Sequence, residues 1–553
     1  MKNKVLTGLL IGILLFSIAF ADSEKKTIRV GISNQSFSNW EYKSADFISE
    51  NIIKIIDMAQ NIEIENIKAN AQIKITYDEM GYSIFINGEN KYSRLLGPLL
   101  LSSNAEIGIV NLNRKGTPAK YKGMIEIKTS KSNKGFNIIN VIDIDNYLRG
   151  VVSNEMPVSF GLEALKAQTI AARNYANNAN ISPNYDVVDS TASQVYYGAN
   201  SYKNISDEAV LKTKGIYALY KNKPITALYF STSPGITDDW DEVFSDGNNM
   251  GIHPYLKPKY DLNNKPLRSE RDVEDFYTRN DNGLDTNSPK FRWNIEFNRE
   301  ELEKTLTQTL VQQSNTGLVS PKYDGTIPIT GLREIKPLKR TDSGKITELL
   351  ISCDNGEFKI KKELTIRRVL KKNNAMLPSA NFFIQTKGEN IGRKILGIFD
   401  TEARNPDSFT LIGGGFGHGV GMSQFGAYAM AKSGKKYPEI LNHYYTDIEL
   451  STIPKTVYYN EYNISYNTEF YYEPKIYDAI YLFINNHKNV SEFNFKINDM
   501  EFNNTSSFAH NKLIKINITQ YLKEGINTIS FAPLTSKNKG KTIEYQVEFI
   551  NGK

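Results

Sequence analysis

The chain has 553 residues, 40% of them hydrophobic and 23% charged, with a formal net charge of +6. That is ample for several domains with buried cores, and the balance is that of an ordinary globular protein, neither disordered nor fibrous. Its single cysteine, Cys353, excludes an intrachain disulfide and a zinc site built on cysteine pairs, and nucleic-acid-type basic patches are missing.

At the start, Lys2 and Lys4 precede an apolar run from Val5 to Phe20, and Ala19-Phe20-Ala21 offers small residues for cleavage. This order predicts a secretory signal peptide over residues 1–21 and an exported protein, in the periplasm, the cell wall or the medium. The alternative is an uncleaved anchor, but the run is shorter than the ~20 residues a spanning helix needs. Membrane contact is expected only through this segment, if it stays attached.

Alternation of apolar residues at Ile28, Val30 and Ile32, at Ile73 and Ile75, and at Ile84 and Ile86 predicts half-buried strands. Asn87-Gly88 is a turn pair, and Met124–Lys128 with Phe136–Ile142 reads as a strand pair, so residues 27–145 are expected to be mainly β. Leu162–Asn177 changes period: Leu162, Leu165, Thr169 and Ala172 share one helical face, and Ala164, Ala167 and Ala171 another. Residues 181–290 are loop-rich, followed by a predicted strand at Glu348–Cys353 and a helical stretch at Glu363–Leu370. A glycine-dense loop, Gly413–Gly421, leads into a predicted helix Gln424–Lys432 closed by Gly434, and another helix begins at Pro438. After Pro454, period-two runs at Phe493–Ile497, Ile514–Ile518 and Ile543–Phe549 predict a C-terminal β-sandwich over 455–553. The expected class is α+β: a mixed region of short helices and sheets over 27–450, then the small sandwich.

Three segments carry candidate chemistry. The first, Asn146 to Pro157, places Glu155 just before the alanine-rich helix, on a connection that Pro157 is expected to hold extended. A carboxyl group there is a general acid if apolar neighbours raise its pKa; otherwise it is a surface glutamate favoured near a helix N-terminus. Arg173 and Gln168, in the following helix, are candidate sugar contacts or simply helix polar residues. The second segment, Gly413 to Gly426, has no Lys-Ser/Thr pair for a phosphate loop. Its glycines allow the backbone to approach a ligand or another segment. His418 within it is a sugar donor, a proton carrier or, as lone histidines more often are, a structural hydrogen bonder; Gln424 follows. Ser231 and Ser233 lie at an apolar strand end without a Gly-x-Ser-x-Gly elbow, which argues against a serine hydrolase.

Together, YLRGVVSNEMP and LEALKAQTIAAR at 147–173, STSPGIT at 231–237 and GGGFGHGVGMSQFGAYAMAKSGKKYPEILNHYY at 413–445 resemble the stage II sporulation protein D family, the SpoIID/LytB domain. The resemblance covers roughly residues 27–450. It implies a peptidoglycan lytic transglycosylase acting on glycan strands freed of stem peptides. Glu155 falls on the family's catalytic glutamate, and Arg173 on an arginine associated with the active site. Gln168, Ser231, Ser233, His418 and Gln424 are carried as substrate-binding candidates.

The implied product is a 1,6-anhydro-N-acetylmuramic acid end, formed without cofactor. In zinc-binding relatives the segment aligned with Val187–Tyr196 carries cysteine and histidine ligands. Here the corresponding positions are Val188, Ala192 and Ser193, so no metal is expected. Peptidoglycan is the implied partner, with a cell-wall amidase as a second. The competing readings are a glycan-binding module that stimulates an amidase, an adhesive surface protein, and an ordinary glycosidase with Glu163 or a distant aspartate as second carboxylate.

Overall fold

Ile28, Val30 and Ile32 are fully buried in the computed structural model, as their alternation predicts. The structure describes residues 27–245, 247, 250–262, 265–279, 282–388, 406–502 and 513–551. The proposed leader, residues 1–21, lies outside them. The strand Thr27–Ile32 lies in a seven-stranded sheet, paired antiparallel with Phe136–Asp143 and parallel with Val187–Val188. A six-stranded sheet holds Ile73–Asp78 and Gly81–Ile86. The hairpin from Gly81–Ile86 to Glu89–Leu95 turns at Asn87 and Gly88, with φ of 50° and 86°, as a tight two-residue turn demands. Alternate side chains of both sheets are buried in one hydrophobic cluster.

The helices are α1 (Ile144–Glu155), α2 (Leu162–Asn178), α3 (Asn204–Lys212), α4 (Trp240–Val243), α5 (Glu270–Thr278), α6 (Arg299–Ser314), α7 (Glu363–Val369), α8 (Gln424–Lys432) and α9 (Tyr437–Tyr444). Helix α2 packs against α1, α3, α8 and α9. Its alanine stripe is buried, as are Leu165, Thr169 and Ala172 on the other face while Leu162 is half-buried, and the short alanine side chains let four neighbours approach.

Glu155 does not sit on an extended connection; it is the last residue of α1. Asp143 caps that helix by accepting the Asn146 N–H at 3.0 Å, and Ile144, Tyr147, Leu148, Val151 and Val152 form its buried face. Pro157 constrains only the residue before it: Met156 is extended, at φ −128° and ψ 133°, so the helix stops after Glu155.

Between Trp293 and Leu411 the chain has its own core, including Leu302, Leu306, Leu349, Ile351 and Ile366, with the expected strand at Ile346–Cys353 and helix α7. The C-terminal strands form two sheets. One is Tyr466–Tyr472, Gly525–Phe531, Phe495–Ile497 and Met500–Phe502; the other runs from Leu513–Asn517 through Ala479–Asn485 and Thr542–Ile550 to Glu449–Ser451 and Tyr217–Tyr220. The class is α+β. Among the described residues no helix is long and apolar enough to cross a membrane.

Candidate functional site

The C-terminal turn of α1 delivers Glu155 to a cavity of about 400 Å³ lined by Glu155, Tyr175, Thr191, Ala192, Ser193, Leu228, Tyr229, Phe244 and His418. Burial pushes the Glu155 carboxyl up to about 7, against the lowering effect of the Val195 N–H, which donates to Oε1 at 2.5 Å. Its place at a helix C-terminus acts in the same upward direction. With Oε1 so engaged, Oε2 is left to carry the proton. Glu155 is the one carboxylate among the cavity's described lining residues.

The backbone under Glu155 is also held. Gln424, at the start of α8, donates from Nε2 to the Glu155 carbonyl at 2.9 Å and to Gln168 Oε1 at 3.3 Å. Gln168 and Gln424 are therefore brought to Glu155, but at its main chain and not in the cavity wall. On the far side, Tyr147 donates to Gln194 Oε1 at 3.0 Å, and Gln194 Nε2 donates to the Tyr229 hydroxyl at 2.9 Å. Burial holds both phenols well above their ordinary range, so they stay protonated. This buried chain ties α1, the loop before Tyr196 and the strand Tyr229–Phe230 into one frame.

His418 lines the cavity as a structural hydrogen bonder. Its Nε2 lies 3.0 Å from the Tyr229 carbonyl and its Nδ1 accepts the Val420 N–H at 3.1 Å, which assigns the neutral tautomer with the proton on Nε2. Burial, then Lys345, pushes it down to about 4, so it carries no exchangeable charge near neutrality. The glycines around it bring the backbone against a neighbouring segment. Gly421 has φ +82°, and a Cβ there would lie 2.1 Å from the Leu228 carbonyl oxygen.

The remaining candidates lie elsewhere. Arg173 is buried and donates to the Thr213 carbonyl at 2.8 Å, the Ile216 carbonyl at 3.3 Å and Asp145 at 3.2 Å, tying α2 to α1 and to the turn after α3. It is not brought to the cavity. Ser233 is buried, its N–H donating to Asp285 Oδ1 at 2.8 Å and its hydroxyl accepting the Gly235 N–H at 3.1 Å. The Ser231 hydroxyl meets that of Thr232 at 3.1 Å. Glu163, considered as a second carboxylate, is bound by Lys166 at 3.0 Å and by the Tyr437 N–H at 3.0 Å.

The positions implied for zinc do not fit the metal. Val188 and Ala192 offer no side-chain donor atom, and the Ser193 hydroxyl accepts the Val188 N–H at 3.2 Å. The loop is instead fastened by Asp189, which is fully buried and accepts from Arg114 at 2.7 Å and from the Ser33 N–H at 3.1 Å. Sequence reasoning missed Gln194 and Val195, which it weighed only as neighbours of a metal site, and also Tyr175 and Phe244.

A larger open hollow of about 700 Å³ lies at the other end of α1, beside Asn146. Its Glu50 and Lys120 are exposed and pair with each other at 3.1 Å.

Against known proteins, residues 132–220 match the family model described as Stage II sporulation protein, and residues 242–421 match Domain of unknown function (DUF8618). The chain is 30% identical to Stage II sporulation protein D of Bacillus amyloliquefaciens over 328 residues, which is 56% of this chain and 74% of that one. It is also 30% identical to the protein of that name from Bacillus subtilis (strain 168), over 56% of this chain and 75% of the relative. The Amidase enhancer of Bacillus subtilis (strain 168) is 28% identical over 313 residues, 55% of this chain. The chain spans only 40% of that relative's length.

Proposed function

Because this chain belongs to the stage II sporulation protein D family, we propose that it is an exported peptidoglycan lytic transglycosylase that cuts wall glycan strands with Glu155. The observation that carries this reading is a lone cavity carboxyl poised near neutrality, at about 7. Protonated Glu155 gives its proton to the bridging oxygen as the bond to C1 of N-acetylmuramic acid breaks through an oxocarbenium-like state. The resulting carboxylate then takes the proton of the sugar's C6 hydroxyl, whose oxygen bonds to C1. The products are a 1,6-anhydro end and a free hydroxyl on the leaving sugar. One carboxyl group serves both steps, and the attacking hydroxyl is already tethered to the reacting carbon. No metal takes part in this scheme.

The scheme fixes the sign of the pH dependence. The acid form is needed first, and its donation generates the base. On peptide-free glycan, kcat/KM should therefore be flat below about pH 7 and fall about tenfold per pH unit above it. A rate that instead rises through pH 7 to a plateau would mean that Glu155 starts as the base, and the scheme would fail.

A second reading follows from the relative named Amidase enhancer: a glycan-binding protein that stimulates a partner amidase. The two readings part on whether Glu155 is needed for cutting or the cavity only for binding.

A further inference from the structure

The segment matched by the domain of unknown function begins at residue 242 and contributes two side chains to the Glu155 cavity, Phe244 and His418. Phe244 reaches it through α4, a single turn capped by Asp239, whose carboxylate accepts the Asp241 N–H at 2.8 Å. Phe244 ends that turn, its N–H donating to the Trp240 carbonyl at 2.9 Å. Four residues apart, the two rings stand on one side of the turn with centroids 6.4 Å apart. Ser245 and Gly251, which follow it in the chain, are both fastened. Lys362 donates to the Ser245 carbonyl at 3.0 Å, and the Gly251 N–H donates to Asp241 at 2.7 Å.

Phe244 is thus a positioned ring in the cavity wall, 5.6 Å from the His418 ring, yet 40% of it stays exposed. Around it the wall includes the hydroxyl-bearing residues Tyr175, Thr191, Ser193 and Tyr229. An apolar ring face in a wall that also carries polar residues matches a pyranose ring, which presents C–H bonds on its face and hydroxyls at its edge.

We propose that Phe244, backed by Trp240, is the stacking wall of a sugar subsite, where one pyranose ring of the wall glycan lies while the adjacent glycosidic bond is at Glu155. This rests on the glycan-cutting reading above and gives the 242–421 segment a substrate-binding role. Phe244 binds the substrate there, and Trp240 acts through it.

The test is calorimetric titration of peptide-free glycan oligosaccharides into Glu155→Gln protein, which does not consume them, and into the same protein also carrying Phe244→Leu or Phe244→Trp. Leucine keeps an apolar side chain but removes the ring, so Phe244→Leu should bind about tenfold more weakly, while Phe244→Trp keeps the affinity. In the otherwise unaltered chain, Phe244→Leu should raise KM with little change in kcat. Thermal melting of each variant checks the fold. If Phe244→Leu does not fold, glycan quenching of tryptophan fluorescence, lost in Trp240→Phe, reads the same contact. Equal affinity of the Leu and Phe proteins overturns the subsite and leaves the cutting reading standing. No binding by the Glu155→Gln parent overturns both.

Discussion

Glu155→Gln is expected to lower the rate of glycan cutting by about a thousandfold or more while leaving glycan binding intact. Glutamine keeps the shape and can still accept the Val195 N–H, but it has no proton to give. The same substitution should raise stability at alkaline pH, which separates a catalytic group from a structural one. The folded carboxyl has a pKa of about 7, above its ordinary 4.5, so the folded state binds more protons between those values. The resulting stabilisation is complete below about pH 4.5 and is lost as pH rises through 7. At pH 8 the ionised carboxylate is a burden of about 3 kcal/mol that glutamine does not carry. Melting curves should place Glu155→Gln above the parent at pH 8 and level with it near pH 4. A variant that is less stable than the parent at pH 8 would mean that the ionised carboxylate is well satisfied, contrary to its burial.

Arg114→Met is expected to cost about 3 kcal/mol of stability, because it leaves the Asp189 carboxyl buried without its cation. Arg114 and Asp189 are 1% and 0% exposed and lie 2.7 Å apart, and the guanidinium also covers the Phe37 ring at 4.4 Å. Burial raises the Asp189 pKa and the guanidinium opposes that rise. Losing the pair should free the loop whose Val195 N–H restrains Glu155. The surviving activity per folded molecule should then drop, with its alkaline limb moved upward in pH. The double variant Arg114→Met with Asp189→Asn removes the stranded charge and keeps an acceptor for Ser33, so it should recover part of the lost stability. Urea unfolding of the three proteins measures this; identical midpoints for the single and double variants would show that no charge had been stranded.

Periodicity made much of this scaffold legible. The alternations at Ile28 and Ile73, the turn at Asn87-Gly88 and helices α2 and α8 all follow from local pattern, and the structure has them. Helix α1 is hidden in the sequence because a proline signals extended chain before it, whereas the Pro157 ring restrains only Met156 and ends a helix that Asp143 starts.

The cavity was harder to see. Its wall comes from Glu155, Tyr175, the loop at Thr191, Tyr229, Phe244 and His418, which only tertiary folding brings together. Polar residues in a motif look alike in sequence whether they meet ligand or protein. Arg173 spends its donors on carbonyls of the α3 region, and Ser233 on a turn and Asp285, partners that no local spacing encodes. Asp285, pushed up to about 7 by burial, was missed for the same reason: it joins Ser233 to the Ser423 cap of α8, and its partners lie far away in the chain.

The central claim is that one carboxyl group cuts glycan by transferring a bond within the sugar. Mass spectrometry of peptide-free glycan strands, after incubation with the protein and with Glu155→Gln, tests it directly. The account predicts fragments with 1,6-anhydro-N-acetylmuramic acid ends from the unaltered chain and none from the variant. Reducing ends from the unaltered chain would contradict it, since they require an attacking water and a second carboxylate; so would anhydro ends that persist in Glu155→Gln.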